Sequence, residues 1–256
     1  MRKKIAVVIP ARMAASRFPG KPLAHILDLP MIEHVRRRVL LSDAVDDVYV
    51  AACDQEIMDA VEKYGGKAII TASTHERCTD RVEEAAHGLK ADIIVMVQGD
   101  EPLFKPEIIK NLVDPLLTDP AVYCTNLLSI IRNRNDLNDI DIVKAAVNRQ
   151  GNIMFFSRAP IPYFRVDNNA PCYRQTGVSA FSRKFLSTYT ALDPAPLEIA
   201  ESVDFLRILE HGYSIRSVIT GEETHGVDRQ EDISVVEKIL KHDPIQRGYY
   251  DRILTL

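Results

Sequence analysis

The chain lacks a cysteine framework. Its four cysteines, Cys53, Cys78, Cys124 and Cys172, lie far apart, and none belongs to a C-x-x-C pair. That spacing suggests neither a zinc site nor a disulfide scaffold. The chain also lacks a long apolar run at its start. Ile5-Ala6-Val7-Val8-Ile9 stops at Pro10, too short for a signal peptide or a membrane span. It has no basic excess: 36 acidic against 32 basic residues leaves a net charge of −4. This argues against general nucleic-acid binding but leaves room for a local basic pocket. Its 11 glycines include neither the Walker A nor the dinucleotide spacing. There is no internal repeat and no low-complexity segment. What remains is 256 residues, 46% hydrophobic, enough for one large domain or two small ones. The expectation is a soluble protein in a reducing, cytoplasmic setting, with neither nucleic acid nor membrane as partner.

One stretch stands out among what is present. The run Ile5 to Ile9 reads as a buried strand, and Pro10 is expected to end it because proline cannot donate to a sheet ladder. The loop that follows carries Ala11, Arg12, Arg17, Gly20 and Lys21. A basic loop directly after an N-terminal strand is where an α/β fold holds a phosphate. Small residues and Gly20 let backbone N–H groups approach an anion, and Arg12, Arg17 and Lys21 would neutralise it. The alternative is a solvated basic loop.

Strand and helix patterns alternate through about residue 118. Residues 31–41 have helical apolar spacing with Arg36, Arg37 and Arg38 on what reads as a solvated face. Val48 to Ala52 is a strand, Ile57 to Tyr64 a helix capped by Gly65-Gly66, and Ala68 to Ile70 a strand. Thr79 to Leu89 is a helix with Thr79 as N-cap. Ile93 to Val97 is a β-branched strand, central and parallel, followed by a helix opened by Pro106. Such alternation implies βαβ units whose ligands bind at the carboxyl ends of the strands. The loop after Ile9, Cys53-Asp54 and Gln98-Gly99-Asp100 all follow strands. Beyond residue 120 the pattern loosens. Val143 to Val147 and Ile153 to Phe156 form a hairpin, and Asp167-Asn168-Asn169 is exposed. Gly177 to Phe181 is a strand; Arg183 to Ala191 and Leu197 to His211 are helices. Ser214 to Ile219 is a strand, and Glu231 to His242 is the last clear helix. The fold class is α/β: one Rossmann-like αβα sandwich with a mostly parallel central sheet and a β-rich insertion.

Asp100 and Asp228 are loop carboxylates. Two such groups can seat Mg²⁺ with phosphate oxygens and water, or serve as a turn residue and a helix N-cap respectively.

Longer strings carry a resemblance. Pro10-Ala11-Arg12 with Ser16-Arg17-Phe18-Pro19-Gly20-Lys21-Pro22-Leu23 resembles the signature loop of the CMP-Kdo synthetase family, the 3-deoxy-manno-octulosonate cytidylyltransferases. So do Val97-Gln98-Gly99-Asp100-Glu101-Pro102, Gly226-Val227-Asp228, Cys78-Thr79-Asp80-Arg81 and Phe156-Ser157-Arg158-Ala159-Pro160-Ile161-Pro162. Together they span about residues 5–240. The resemblance implies a nucleotidyltransferase sandwich and transfer of CMP from CTP to the anomeric hydroxyl of a 2-keto sugar acid, with Mg²⁺ as cofactor. The activated sugar would serve lipopolysaccharide or another surface glycan, and the enzyme would be a homodimer. Residues 1–120 would be mainly the CTP half, and residues 121–230 mainly the sugar and dimer half. Arg12, Lys21 and Asp100 would be catalytic, and Asp100 and Asp228 would hold the metal. Ala11, Arg12, Arg17, Lys21, Arg77, Thr79, Asp80 and Gln98 would bind the nucleotide. Arg158 would pair with the sugar carboxylate, a planar fork on a planar anion, or be an ordinary surface arginine.

The sugar pocket departs from the family pattern. The usual histidine and tyrosine of one segment are Gln175 and Ser179, and the usual Glu-Gln of another is Asp204-Phe205. With Gln98 and Arg158, these four are the expected sugar contacts. Either they are drift with compensation, or they select an amino- or deoxy-modified relative of Kdo. Two rival functions are a non-catalytic CTP sensor and a nucleotidyltransferase acting on sugar 1-phosphates.

Overall fold

A computed structural model describes residues 2–14, 17–166, 170–221 and 225–256. Ala15-Ser16 of the basic loop and Asp167-Asn168-Asn169 lie outside the described residues. The chain runs through β1 (Ile5–Ala11), a 3-10 turn at Lys21–Leu23, β2 (His25–Ile26), β3 (Leu29–Pro30), α1 (Met31–Leu40), β4 (Asp47–Ala52), α2 (Gln55–Lys63), β5 (Lys67–Ile70), α3 (Cys78–Ala86), β6 (Ile93–Val97) and α4 (Ile108–Thr118). There follow β7 (Cys124–Ile130), a 3-10 turn at Arg134–Asn138, β8 (Lys144–Val147), β9 (Ile153–Ser157), β10 (Tyr173–Ser182), α5 (Arg183–Thr190), α6 (Pro196–Glu201), α7 (Phe205–Glu210), β11 (Arg216–Thr220), α8 (Asp232–His242) and α9 (Pro244–Ile253). These group into two compact units, Met1–Lys110 with Thr224–Leu256, and Asn111–Glu223.

In the first unit β1 pairs in parallel with β4 and β6, and β4 pairs in parallel with β5. Every residue of β1 is buried, as expected of a parallel strand covered on both faces. α1, α2 and α3 pack against these strands. Because β1, β4 and β6 run the same way, the loops after their carboxyl ends share one edge, the edge where ligands bind in such sheets. β1 does not stop at Pro10. It continues to Ala11 beside β4, while its ladder with β6 ends at Val8↔Met96. One edge of the strand is therefore open at Pro10, and a residue without an N–H is tolerated there.

The arginines of α1 are not a solvated face. Arg36, Arg37 and Arg38 are 5%, 7% and 0% exposed. Arg36 grips Glu33 with two bonds of 2.7 Å, and Arg37 reaches the same carboxylate at 3.1 Å. Arg37 also donates to the Ile253 carbonyl, and Arg38 to Gln246 Oε1 at 2.8 Å. Arg36 also reaches the Tyr64 carbonyl at 3.2 Å; the cover of Arg37 and Arg38 is α9, a helix beyond the last one expected. Asp243 caps it by accepting from the N–H groups of Ile245 and Gln246, with Pro244 at its first position. α3 begins at Cys78 with Arg77 as its N-cap, so Thr79 lies inside the helix. Pro106 precedes α4 by a turn rather than opening it.

In the second unit β10 pairs antiparallel with β7 and β8, β8 pairs antiparallel with β9, and β11 runs parallel to β7. β10 is bulged between Gln175 and Ser179. The helix expected over Leu197 to His211 is two helices. Ser202 adopts a left-handed conformation with φ 52° and breaks it. A buried pair, Arg207 on Glu198 at 2.7 and 2.6 Å, ties the halves together.

Candidate active site

The first unit holds a cavity of about 240 Å³ at the carboxyl edge of β1 and β6. Ala11, Arg12, Arg17, Lys21, Arg77, Gln98, Asp100 and Asp228 line it. Thr79 and Asp80, expected among the nucleotide contacts, do not line it. Thr79 is 2% exposed in the first turn of α3.

The basic loop is folded on itself. Gly20 donates to the Met13 carbonyl at 3.0 Å, and its φ of 74° is a conformation that favours glycine. Met13 N–H donates to Asp54 Oδ2 at 2.9 Å, which anchors the loop to the end of β4. Lys21 Nζ donates to Asp100 Oδ2 at 2.6 Å and to the Val227 carbonyl at 2.9 Å. Arg17 pairs with Asp228 at 3.2 Å. The Asp100 and Asp228 loops are joined directly, since Val227 N–H donates to the Asp100 carbonyl at 2.9 Å. Val227 itself is fully buried among Ile26, Leu29, Met31, Leu103 and neighbours. Gly99 sits where a side chain would be crowded: a Cβ there would lie 3.2 Å from both the Pro10 carbonyl and Ile32 Cδ1.

The two carboxylates fit a hard divalent cation. They are oxygen donors, their loops are hydrogen-bonded together, and both are partly open to the cavity, with side chains 31% and 58% exposed. Among the described residues there is no cluster of three or more His, Cys, Asp or Glu placed to hold a metal. A pair of loop carboxylates is a donor set that Mg²⁺ can use, since it takes one or two carboxylates and completes its shell with phosphate and water.

Sequence reasoning missed His75, which also lines the cavity. Its ring bonds to Glu84, and the same Glu84 oxygen accepts from Ala72 N–H at 2.9 Å. These two bonds hold the Glu84 carboxyl below its usual range and brace the loop that presents Arg77. A histidine two residues before Arg77 was a readable signal. Asp54 was marked only by its place after a strand, and Asp232, which also holds loop backbone, carried no signal.

In the second unit Arg158 is engaged rather than loose. It donates to the carbonyls of Glu201 and Ile140 at 2.8 Å and of Ser202 at 3.5 Å. Five guanidinium N–H groups less these three leaves two without a hydrogen bond among the described residues. The Glu201 carboxylate accepts from Arg158 N–H at 2.8 Å and the Ser157 hydroxyl at 2.7 Å. Burial works to raise this carboxyl, but these bonds outweigh it and hold it low. Lys144 spends its three donors on the carbonyls of Asp139, Ile142 and Arg158, and burial lowers its ammonium. Gln175 is half-buried, with its backbone N–H on Val143.

Two expected sugar contacts are packing residues. Ser179 is fully buried, and its hydroxyl accepts from Asn126 Nδ2 at 2.8 Å. It fills its space with a hydrogen-bonded pair instead of leaving room. Phe205 is 5% exposed and stacks among Phe156, Phe181 and Tyr189 at centroid distances of 6.2, 5.8 and 6.2 Å. It belongs to the core because α7 turns that face inward. Asp204 is half-buried, with its carbonyl accepting from the Tyr189 hydroxyl at 3.0 Å.

Comparison with known proteins identifies the family. The family model described as cytidylyltransferase matches residues 6–223. A 3-deoxy-manno-octulosonate cytidylyltransferase of Geobacter metallireducens is 41% identical over 248 residues, 92% of this chain and 98% of that protein. Its counterpart in Syntrophus aciditrophicus is 43% identical over 242 residues, covering 93% and 98%. A solved structure of CMP:2-keto-3-deoxy-manno-octonic acid synthetase complexed with CTP matches with a TM-score of 0.89 at 37% identity, covering 94% of this chain and 99% of that one. A cytidylyltransferase from Leptospira borgpetersenii, at 17% identity and TM-score 0.65, shares the fold. The mostly parallel α/β architecture is thus that of a nucleotidyltransferase, and the chain belongs to the cytidylyltransferase family, among the 3-deoxy-manno-octulosonate cytidylyltransferases.

Proposed function

We propose that this protein transfers CMP from CTP to the anomeric hydroxyl of 3-deoxy-manno-octulosonate, releasing pyrophosphate. The observation that carries the reading is the alternation of charge along one cavity wall: Lys21 beside Asp100, and Arg17 beside Asp228. Two cations and two carboxylates interleaved in this way are the complement of a metal-bound triphosphate. The first unit is the CTP-binding part in this reading, and the second supplies the sugar contacts.

Phosphoryl transfer asks a protein for positioning and charge neutralisation rather than covalent participation. The anomeric hydroxyl attacks the α-phosphorus and loses its proton. The bond from that phosphorus to the bridging oxygen breaks, and its electrons leave on pyrophosphate. Arg12, Arg17 and Lys21 bind the triphosphate and take up charge developing on the leaving group. Asp100 and Asp228 hold Mg²⁺, which neutralises phosphate charge and lowers the pKa of the attacking hydroxyl when bound. Gln98 and Arg77 offer donors to the base, and the amide of Gln98 can also accept. The two unspent N–H groups of Arg158 suit the sugar carboxylate. Gln175 and Asp204 remain the candidates for reading the sugar hydroxyls.

The relatives 41% and 43% identical to this chain, both 3-deoxy-manno-octulosonate cytidylyltransferases, support unmodified Kdo as the substrate. The test is pyrophosphate release with CTP and Mg²⁺ against Kdo, its amino and deoxy analogues and a sialic acid. Kdo should have the highest kcat/KM. Preference for an analogue would return specificity to Gln175 and its neighbours.

A further inference from the structure

Asp228 is the more exposed of the two carboxylates proposed to hold metal, and its side chain is engaged by a half-exposed Arg17 at 3.2 Å, a cation that bound phosphate would draw away. The backbone supplies the constraint that does not depend on Arg17. One residue earlier, Val227 is locked by the core, by its N–H on the Asp100 carbonyl and by Lys21 on its own carbonyl. One residue on, the constraint comes from a single side chain. Asp232, the first residue of α8, accepts from Asp228 N–H at 2.9 Å and from Arg229 N–H at 2.8 Å. Both bonds end on the same oxygen, Oδ2. Asp232 N–H in turn donates to the Arg229 carbonyl at 3.2 Å, closing the turn.

We infer that Asp232 is a positioning residue for the reaction: one carboxylate oxygen fixes the peptide on both sides of Asp228 and so aims the Asp228 carboxylate at the cavity. The inference rests on the reading of Asp228 as a metal-holding residue. It makes a separable claim, that geometry at one oxygen matters and the charge of Asp232 does not. An amide oxygen can accept two hydrogen bonds as a carboxylate oxygen can, so Asp232→Asn keeps the geometry and loses the charge. Asp232→Glu keeps the charge but carries it one methylene too far to cap both N–H groups.

The experiment measures Mn²⁺ affinity by electron paramagnetic resonance, with CTP present and no sugar acid, so that no turnover intervenes. Circular dichroism and thermal melting check that each variant is folded. Asp232→Asn should bind Mn²⁺ within about twofold of the parent. Asp232→Glu should lose roughly tenfold, the lower end of what residues supporting a metal ligand contribute. In an Asp228→Ala background, Asp232→Glu should cost nothing further, because residues acting through one another are not additive. Parent-like Mn²⁺ affinity in Asp232→Glu would overturn the inference, as would a loss in Asp232→Asn equal to that in Asp232→Glu, which would mean that charge or direct ligation is at work. Unchanged Mn²⁺ affinity in Asp228→Ala alone would instead overturn the metal-holding role of Asp228, and the inference with it.

Discussion

Replacing Lys21 by methionine should have two effects of opposite sign. The Lys21 side chain is 15% exposed, with its ammonium 2.6 Å from Asp100 and 2.9 Å from the Val227 carbonyl. Methionine keeps much of the stem and removes the charge. The triphosphate loses one of its cations, and removal of one preorganised donor from a developing oxyanion costs about 10²–10³ in kcat, or about 2.7–4 kcal/mol. Asp100 meanwhile loses the ammonium that competes with a divalent cation for its oxygens. Mn²⁺ without nucleotide should therefore bind Lys21→Met more tightly than the parent. The fold should lose only about 1 kcal/mol, since both partners keep some contact with water. Pyrophosphate release under saturating CTP, together with Mn²⁺ titration of the nucleotide-free protein, measures both. A kcat within threefold of the parent, or weaker Mn²⁺ binding, would refute the reasoning.

Glu33 is fully buried beneath Arg36 and Arg37, so Glu33→Ala should cost about 3–5 kcal/mol in urea unfolding by stranding two buried cations. Burial pushes the His34 imidazole down from 6.5 to about 4. Below pH 6.5 the unfolded chain takes a proton that the folded chain refuses, so stability should fall by about 3 kcal/mol as the pH drops from 6.5 to 4. Unfolding midpoints across that range should be flatter in His34→Gln. Gly99→Ala places a Cβ 3.2 Å from the Pro10 carbonyl, which is backbone and cannot yield as a side chain can. It should displace the Gln98–Asp100 turn and raise KM for CTP by about tenfold, the lower end of losses from small misplacement.

How much of this was legible in the sequence depended on range. β1, β4, β6 and the loops that follow them show as short apolar runs ended by polar or turn residues, and parallel topology then brings the loops to one edge. The convergence of those loops on one edge was therefore readable, whereas the 2.6 Å contact of Lys21 with Asp100 was not, since nothing local to either residue announces it. Burial that depends on a distant partner was not readable. Arg36 to Arg38 look like a wet face until the Tyr64 carbonyl is known to take up Arg36 and α9 to cover Arg37 and Arg38; in α9, Ile245, Tyr249 and Ile253 recur at helical spacing but in a short, polar run. Its Asp243-Pro244 cap was the visible sign. The break at Ser202 comes from a left-handed backbone that no local propensity marks. The same limit applies at the sugar residues. Ser179 and Phe205 read as altered contacts by position alone, but Asn126 and three aromatic rings from other elements draw them into the core.

The central claim is that this protein joins CMP to a sugar acid through its anomeric oxygen. Phosphorus NMR of the purified protein with CTP, Mg²⁺ and Kdo tests it most directly. The three CTP resonances should be replaced by a phosphodiester and pyrophosphate in equal amounts, and only when all three components are present. No change, or release of inorganic phosphate without a phosphodiester, would contradict it.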